Sequence, residues 1–155
     1  MSLKISCLLP ITGPMFLFLL ALLPAKVQAQ FEEQTFTVLI NNTQWQPQLM
    51  STEYRHEKLF IRAEHPETRE VLILRIRMPM PDTGRFVARD YESLTEIEFQ
   101  SESGERYLSS LGGRAEIFIE QWSEGSLRGT FSGTIIYKEE QLELKNGTFS
   151  LIPPE

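Results

Sequence analysis

Two pairs of glutamates give this 155-residue chain its most plausible raw material for catalysis: Glu96 with Glu98, and Glu116 with Glu120. Even spacing puts both members of a pair on one face of a strand. Two carboxyls about 5–5.5 Å apart, one of them desolvated, would suit a retaining glycoside hydrolase. Outward alternating glutamates are more simply the wet face of a sheet. The histidines His56 and His65 lie in polar surroundings without metal-ligand spacing, and the only cysteine is Cys7. A zinc site needs three or four ligands, so no metal or cofactor is implied. Asp82-Thr-Gly84 lacks the repeated oxygen donors of a calcium loop and reads as a turn. Gly129-Thr-Phe-Ser-Gly133 sets Ser132 on a strand's outer face, away from the strained turn a nucleophile elbow requires.

Aromatic side chains offer a second kind of chemistry, which is binding. Phe60, Phe118 and Trp122 fall opposite the aliphatic set of their own strands, and exposed apolar area marks interaction sites. With Arg114 at the same rim, Trp122 and Tyr107 would stack a sugar or a peptide. Tyr107, Arg114, Phe118 and Trp122 are therefore the candidate ligand residues.

The elements that must position these residues are strands. Leu127-Arg-Gly-Thr-Phe-Ser-Gly-Thr-Ile-Ile-Tyr137 alternates with a period of two, its odd positions apolar or glycine. The inner glycines mark a bend or the approach of a neighbouring ring. The same rhythm recurs at Phe36/Val38/Ile40, Leu59/Ile61/Ala63, Leu72/Leu74/Ile76/Met78, Ile97/Phe99 and Ala115/Ile117/Ile119. Val71–Met78 is the most apolar of these strands and is expected to be central. Asn41-Asn42 tolerates the left-handed backbone of a hairpin turn, after which Trp45 packs back on the first strand. The segment 48–58 is polar and stays open between loop and frayed strand. Tyr91-Glu-Ser-Leu94 is given one helical turn. Asn146-Gly147 fits a second tight turn or a bulge within one long closing strand, and the alternation favours the bulge, since Leu142, Leu144, Phe149 and Leu151 share a core without a reversal. Eight to ten strands at this spacing predict an all-β fold, an antiparallel β-sandwich or a partly closed β-barrel.

The opening residues have a different character. Lys4, the apolar run Met15–Leu23 and the small residues at Val27-Gln-Ala29 predict a cleavable signal peptide over 1–29, leaving 30–155 as a single β domain. The run is shorter than the ~20 residues that span a bilayer, so no transmembrane span is expected in the mature protein. The full chain has a net charge of −6, and two of its 15 basic residues lie in the leader, so the mature domain is more acidic still. Such a balance disfavours nucleic acid and anionic membrane surfaces. With no cysteine after the leader, an exported domain must be stabilised by core burial alone. Asn41-Asn-Thr43 and Asn146-Gly-Thr148 match the glycosylation acceptor pattern, but turn geometry already explains both asparagines.

The hairpin Thr37-Val-Leu-Ile-Asn-Asn-Thr-Gln-Trp45, Gly129-Thr-Phe-Ser-Gly133 and the closing Leu144-Lys-Asn-Gly-Thr-Phe-Ser150 resemble a family of small exported all-β proteins from Bacteroidota whose function is uncharacterised. The likeness covers the two ends of the mature chain. It implies export to the periplasm or beyond and carries over no catalytic residue. The expected function is an exported, non-enzymatic β domain, a binding or envelope-associated accessory module. Its partner classes are a carbohydrate, a peptide or an envelope protein. The alternatives are a lipocalin-like carrier of a small apolar ligand and a small glutamate-dependent hydrolase.

Overall fold

In the computed structural model, residues 33–88 and 95–154 are described. The predicted leader 1–29, Arg89 and the helical turn expected at 91–94 lie outside the described residues. The strands are β1 (Thr35–Ile40), β2 (Thr43–Trp45), β3 (Leu49–Arg55), β4 (Lys58–His65), β5 (Glu70–Arg77), β6 (Gly84–Ala88), β7 (Thr95–Gln100), β8 (Arg106–Leu108), β9 (Arg114–Ser123), β10 (Ser126–Tyr137) and β11 (Glu140–Leu151). They form one 11-stranded sheet in the order β2-β1-β11-β10-β8-β7-β5-β4-β3, with β9 on β10 and β6 on β9. The pairing is antiparallel, as at β10–β11, β9–β10 and β4–β5. The end strands β2 and β3 do not pair with each other, so the sheet is not closed into a barrel.

The organising element is β10. Along one edge it pairs with β11 from Leu127 to Tyr137. Along the other it pairs with β9 as far as Thr134, and then with β8 at Ile136. The sheet therefore forks at β10 into two halves. They curl toward each other because each has one apolar face. Trp45 of β2 meets Phe99 of β7 edge-on at 6.0 Å, and Tyr54 of β3 meets Trp122 of β9 at 6.2 Å. The Trp45 indole N–H also donates to Glu70 Oε2 of β5 at 2.9 Å. Between the halves Leu59, Ile61, Leu72, Leu74, Ile76, Ile97, Ile117, Ile119, Leu127 and Ile135 are fully buried.

The side chains of the expected inner sets are buried except for Ile40, Tyr137 and Leu142, which are half-buried against the core, and β5 sits centrally between β4 and β7. The open segment 48–58 resolves into β3 and the turn His56-Glu57, whose φ angles are 50° and 59°. Two successive left-handed residues give a tight hairpin that follows the sheet's twist. β3 looked ambiguous because an edge strand with one wet face needs few apolar residues.

Two bulges shape β9, β10 and β11. In the β10–β11 ladder Phe131 faces Gly147 while Gly133 faces Leu144, so β11 carries an extra residue; Asn146 there takes φ 52°. Asn-Gly is thus a bulge inside one continuous strand, the alternative that its alternation favoured. A Cβ on Gly147 would stand 2.6 Å from the Phe131 ring, and one on Gly129 2.6 Å from Phe149. Both glycines are where aromatic rings pass close to backbone. In the β9–β10 ladder Arg128 faces Gln121 and Gly129 faces Ile119, which leaves Glu120 unopposed.

Candidate functional site

The structure separates the four candidate residues. Tyr107 does not reach a rim: it is 5% exposed, between Phe99 and Tyr137 at centroid distances of 6.4 and 5.6 Å. Its hydroxyl donates to Glu140 Oε2 at 2.7 Å, and that bond, with burial, pushes its pKa up to about 12. It is a core residue with a satisfied hydroxyl. A three-residue strand is too short for alternation to reveal which way its tyrosine points.

Trp122 is likewise not beside Phe118. The bulge at Glu120 inserts one residue, which inverts the side-chain alternation beyond it. Trp122 then pairs with the inner residue Leu127 and packs half-buried against the core.

Arg114 and Phe118 remain on the outer face of β9, with Glu116 between them. Arg114 Nη2 donates to Glu116 Oε2 at 2.9 Å, and Arg85 Nε of β6 donates to Oε1 at 2.8 Å. The hydrogen bond from Arg85 foremost lowers the Glu116 pKa. Phe118 is 42% exposed. Register carries its row across five strands as Arg85, Phe118, Thr130, Thr148 and Thr37, the last two sharing a hydroxyl hydrogen bond of 3.0 Å. A shallow furrow beside this row is lined by Glu116, Phe118, Thr130, Ser132 and Thr148. A second depression shares Glu116 and Ser132 and continues to Arg114 and Lys145. Arg85 and the hydroxyl row were missed by sequence reasoning, because only strand pairing brings them together.

The other half of the sheet presents charge on its outer face. Arg75 of β5 donates through Nη1 to Glu96 and through Nη2 to Glu98 Oε2 at 3.5 Å. Arg106 of β8 holds Glu98 Oε1 through Nε at 2.7 Å, and Ser110 Oγ donates to Glu96 Oε1 at 2.6 Å. Glu98 is only 6% exposed, so its expected place on an open wet face is corrected. The arms of two flanking arginines cover it. Phe60 does lie outward, as expected, beneath the guanidiniums of Arg55 at 5.0 Å and Arg75 at 5.7 Å.

These arrangements bear on the glutamate chemistry. A general acid needs a raised pKa; that of Glu116 is lowered. Among the described residues, no group of three or more His, Cys, Asp or Glu converges as a metal site. Among them, too, no helix is long and apolar enough to cross a membrane. Comparisons with protein-family models, curated proteins and solved structures find no match for this chain.

Proposed function

We propose that this domain is an exported, non-catalytic carbohydrate-binding module, working through the outer face of β9, β10 and β11. The observation that carries the reading is an exposed Phe118 beside a row of threonine hydroxyls, with the Arg114–Glu116–Arg85 cluster at its flank. A sugar ring has an apolar face and a hydroxyl rim. Phe118 would take the face by stacking, and the furrow's hydroxyls and charged pair would take the rim. Export is supported by the leader pattern at 1–29, and envelope association by the family resemblance of the two chain ends. Affinity electrophoresis through gels containing neutral polysaccharides tests the site. Retardation of the wild type on at least one glycan, abolished in Phe118→Ala, is the expected result. Equal mobility of wild type and variant on every glycan tested would remove the basis for this reading.

A further inference from the structure

A second groove lies on the other half of the sheet, between side chains of β3, β4 and β5. Arg55, Arg62 and Arg75 line it with Glu53, Ser51 and Phe60. Three guanidiniums and one carboxylate line it, while Glu64 pairs with Arg62 and Glu96 and Glu98 pair with Arg75 from outside the lining. Arg55 is paired with Glu53 at 3.4 Å and Arg62 with Glu64. A guanidinium offers five N–H donors, and a carboxylate fork takes two. Arg55 and Arg62 therefore keep donors for a further anion. Phe60 carries the Arg55 and Arg75 guanidiniums on its ring, which fixes them before a ligand arrives.

Positive charge continues beyond the groove. Arg55, Lys58 and Arg77 stand directly opposite one another on β3, β4 and β5. Like charges placed so are destabilising in a sheet. Arg77 pairs with Glu57 at 3.8 Å, and both side chains are about half exposed. Strands lie about 4.8 Å apart, a pitch comparable to one sugar unit in an extended chain.

We infer that the β3–β4–β5 groove binds an acidic polysaccharide, a chain whose sugars carry carboxylate or sulfate groups. A thin chain in the groove meets mainly charges within a Debye length of about 8 Å. A planar anionic membrane would instead face a broad area of a chain whose net charge is −6. This site is separate from the Phe118 face and does not depend on it.

The test uses the intact domain with two anionic probes, polygalacturonate and dextran sulfate, and neutral dextran as the blank. Isothermal titration is expected to show binding to at least one anionic polymer, weakening as salt rises, and none to dextran. Arg55→Ala with Arg62→Ala is expected to weaken that binding at least tenfold. Lys138→Ala, which removes a like charge at the far β10–β11 turn, is expected to leave it within twofold. Binding to polygalacturonate alone assigns the anion as carboxylate, and to dextran sulfate alone as sulfate; either supports the proposal. Binding to neither polymer overturns it, as does binding that both sets of variants weaken equally. Capture only by vesicles of anionic phospholipid overturns it too. If the double variant does not fold, Arg62→Glu alone serves, because that side chain is exposed.

Discussion

The two halves of the sheet differ in regularity, and the difference accounts for what each presents to solvent. From β3 through β4 and β5 to β7 the register runs without a shift. Outer side chains there meet cross-strand partners at fixed spacing: Arg75 bonds Glu96 and Glu98 of the next strand, and Arg55, Lys58 and Arg77 form one cationic rank. The ladders β1–β11, β10–β11 and β9–β10 each carry a shift. On that side inserted residues re-aim side chains: Trp122 goes inward, while Phe118 stays out over a shallow furrow. A regular pleat favours charge pairing, and a bulged one makes an uneven surface on which an aromatic stays uncovered.

The bulged half can be broken hardest from beneath. Phe131 packs against Phe36 and Phe149 at 5.2 and 6.5 Å. Phe131→Ala is expected to cost about 3–5 kcal/mol in denaturant unfolding; an unchanged midpoint would show that the bulge does not rest on this ring. Gly147→Ala places a methyl against that same ring and is expected to cost about 1–3 kcal/mol. In the Phe131→Ala background the added methyl has room, so the double variant should lose less than the sum of the two singles.

In the regular half the corresponding element is Glu98. Glu98→Gln is expected to cost about 1–2 kcal/mol, the low end for charge-assisted hydrogen bonds because Arg106 is largely exposed. A loss as small as that of an ordinary surface change would mean the arginine arms do not hold it.

Tyr107 links the halves, since it lies on β8 and its hydroxyl reaches Glu140 of β11. Its pKa is raised to about 12, against about 10 in an unfolded chain. The folded state therefore holds this proton more tightly. Its stabilising contribution is complete below pH about 10 and is lost as pH rises toward 12. Phenolate absorbance followed alongside unfolding, in wild type and Tyr107→Phe, separates this from general alkaline loss. The smallest effect is expected at Phe118→Ala, within about 0.5 kcal/mol of wild type in thermal melts, as for surface substitutions generally.

Much of the fold was legible in the chain. The two-residue period marked the inner sets of β1, β4, β5, β7, β9 and β10, because a pleated backbone turns successive side chains to opposite faces whatever surrounds it. It also favoured a bulge over a second tight turn at Asn146-Gly147, since a reversal was not needed to keep Phe149 and Leu151 with the core. Less of the site was legible. Phe118 was placed on an outer face, where it lies, but nothing local marks Glu120 as the residue that β10 leaves unopposed.

Sequence by itself determined that these residues form strands with one greasy side and enclose a core without crosslinks, for that follows from local backbone geometry and burial. Tertiary structure alone decided the neighbours. Pairing register aligned Phe118 with Thr130 and Arg75 with Glu96, one inserted residue turned Trp122 inward, and the fork at β10 buried Tyr107. Each depends on contacts between segments far apart in the chain, which a local pattern does not encode.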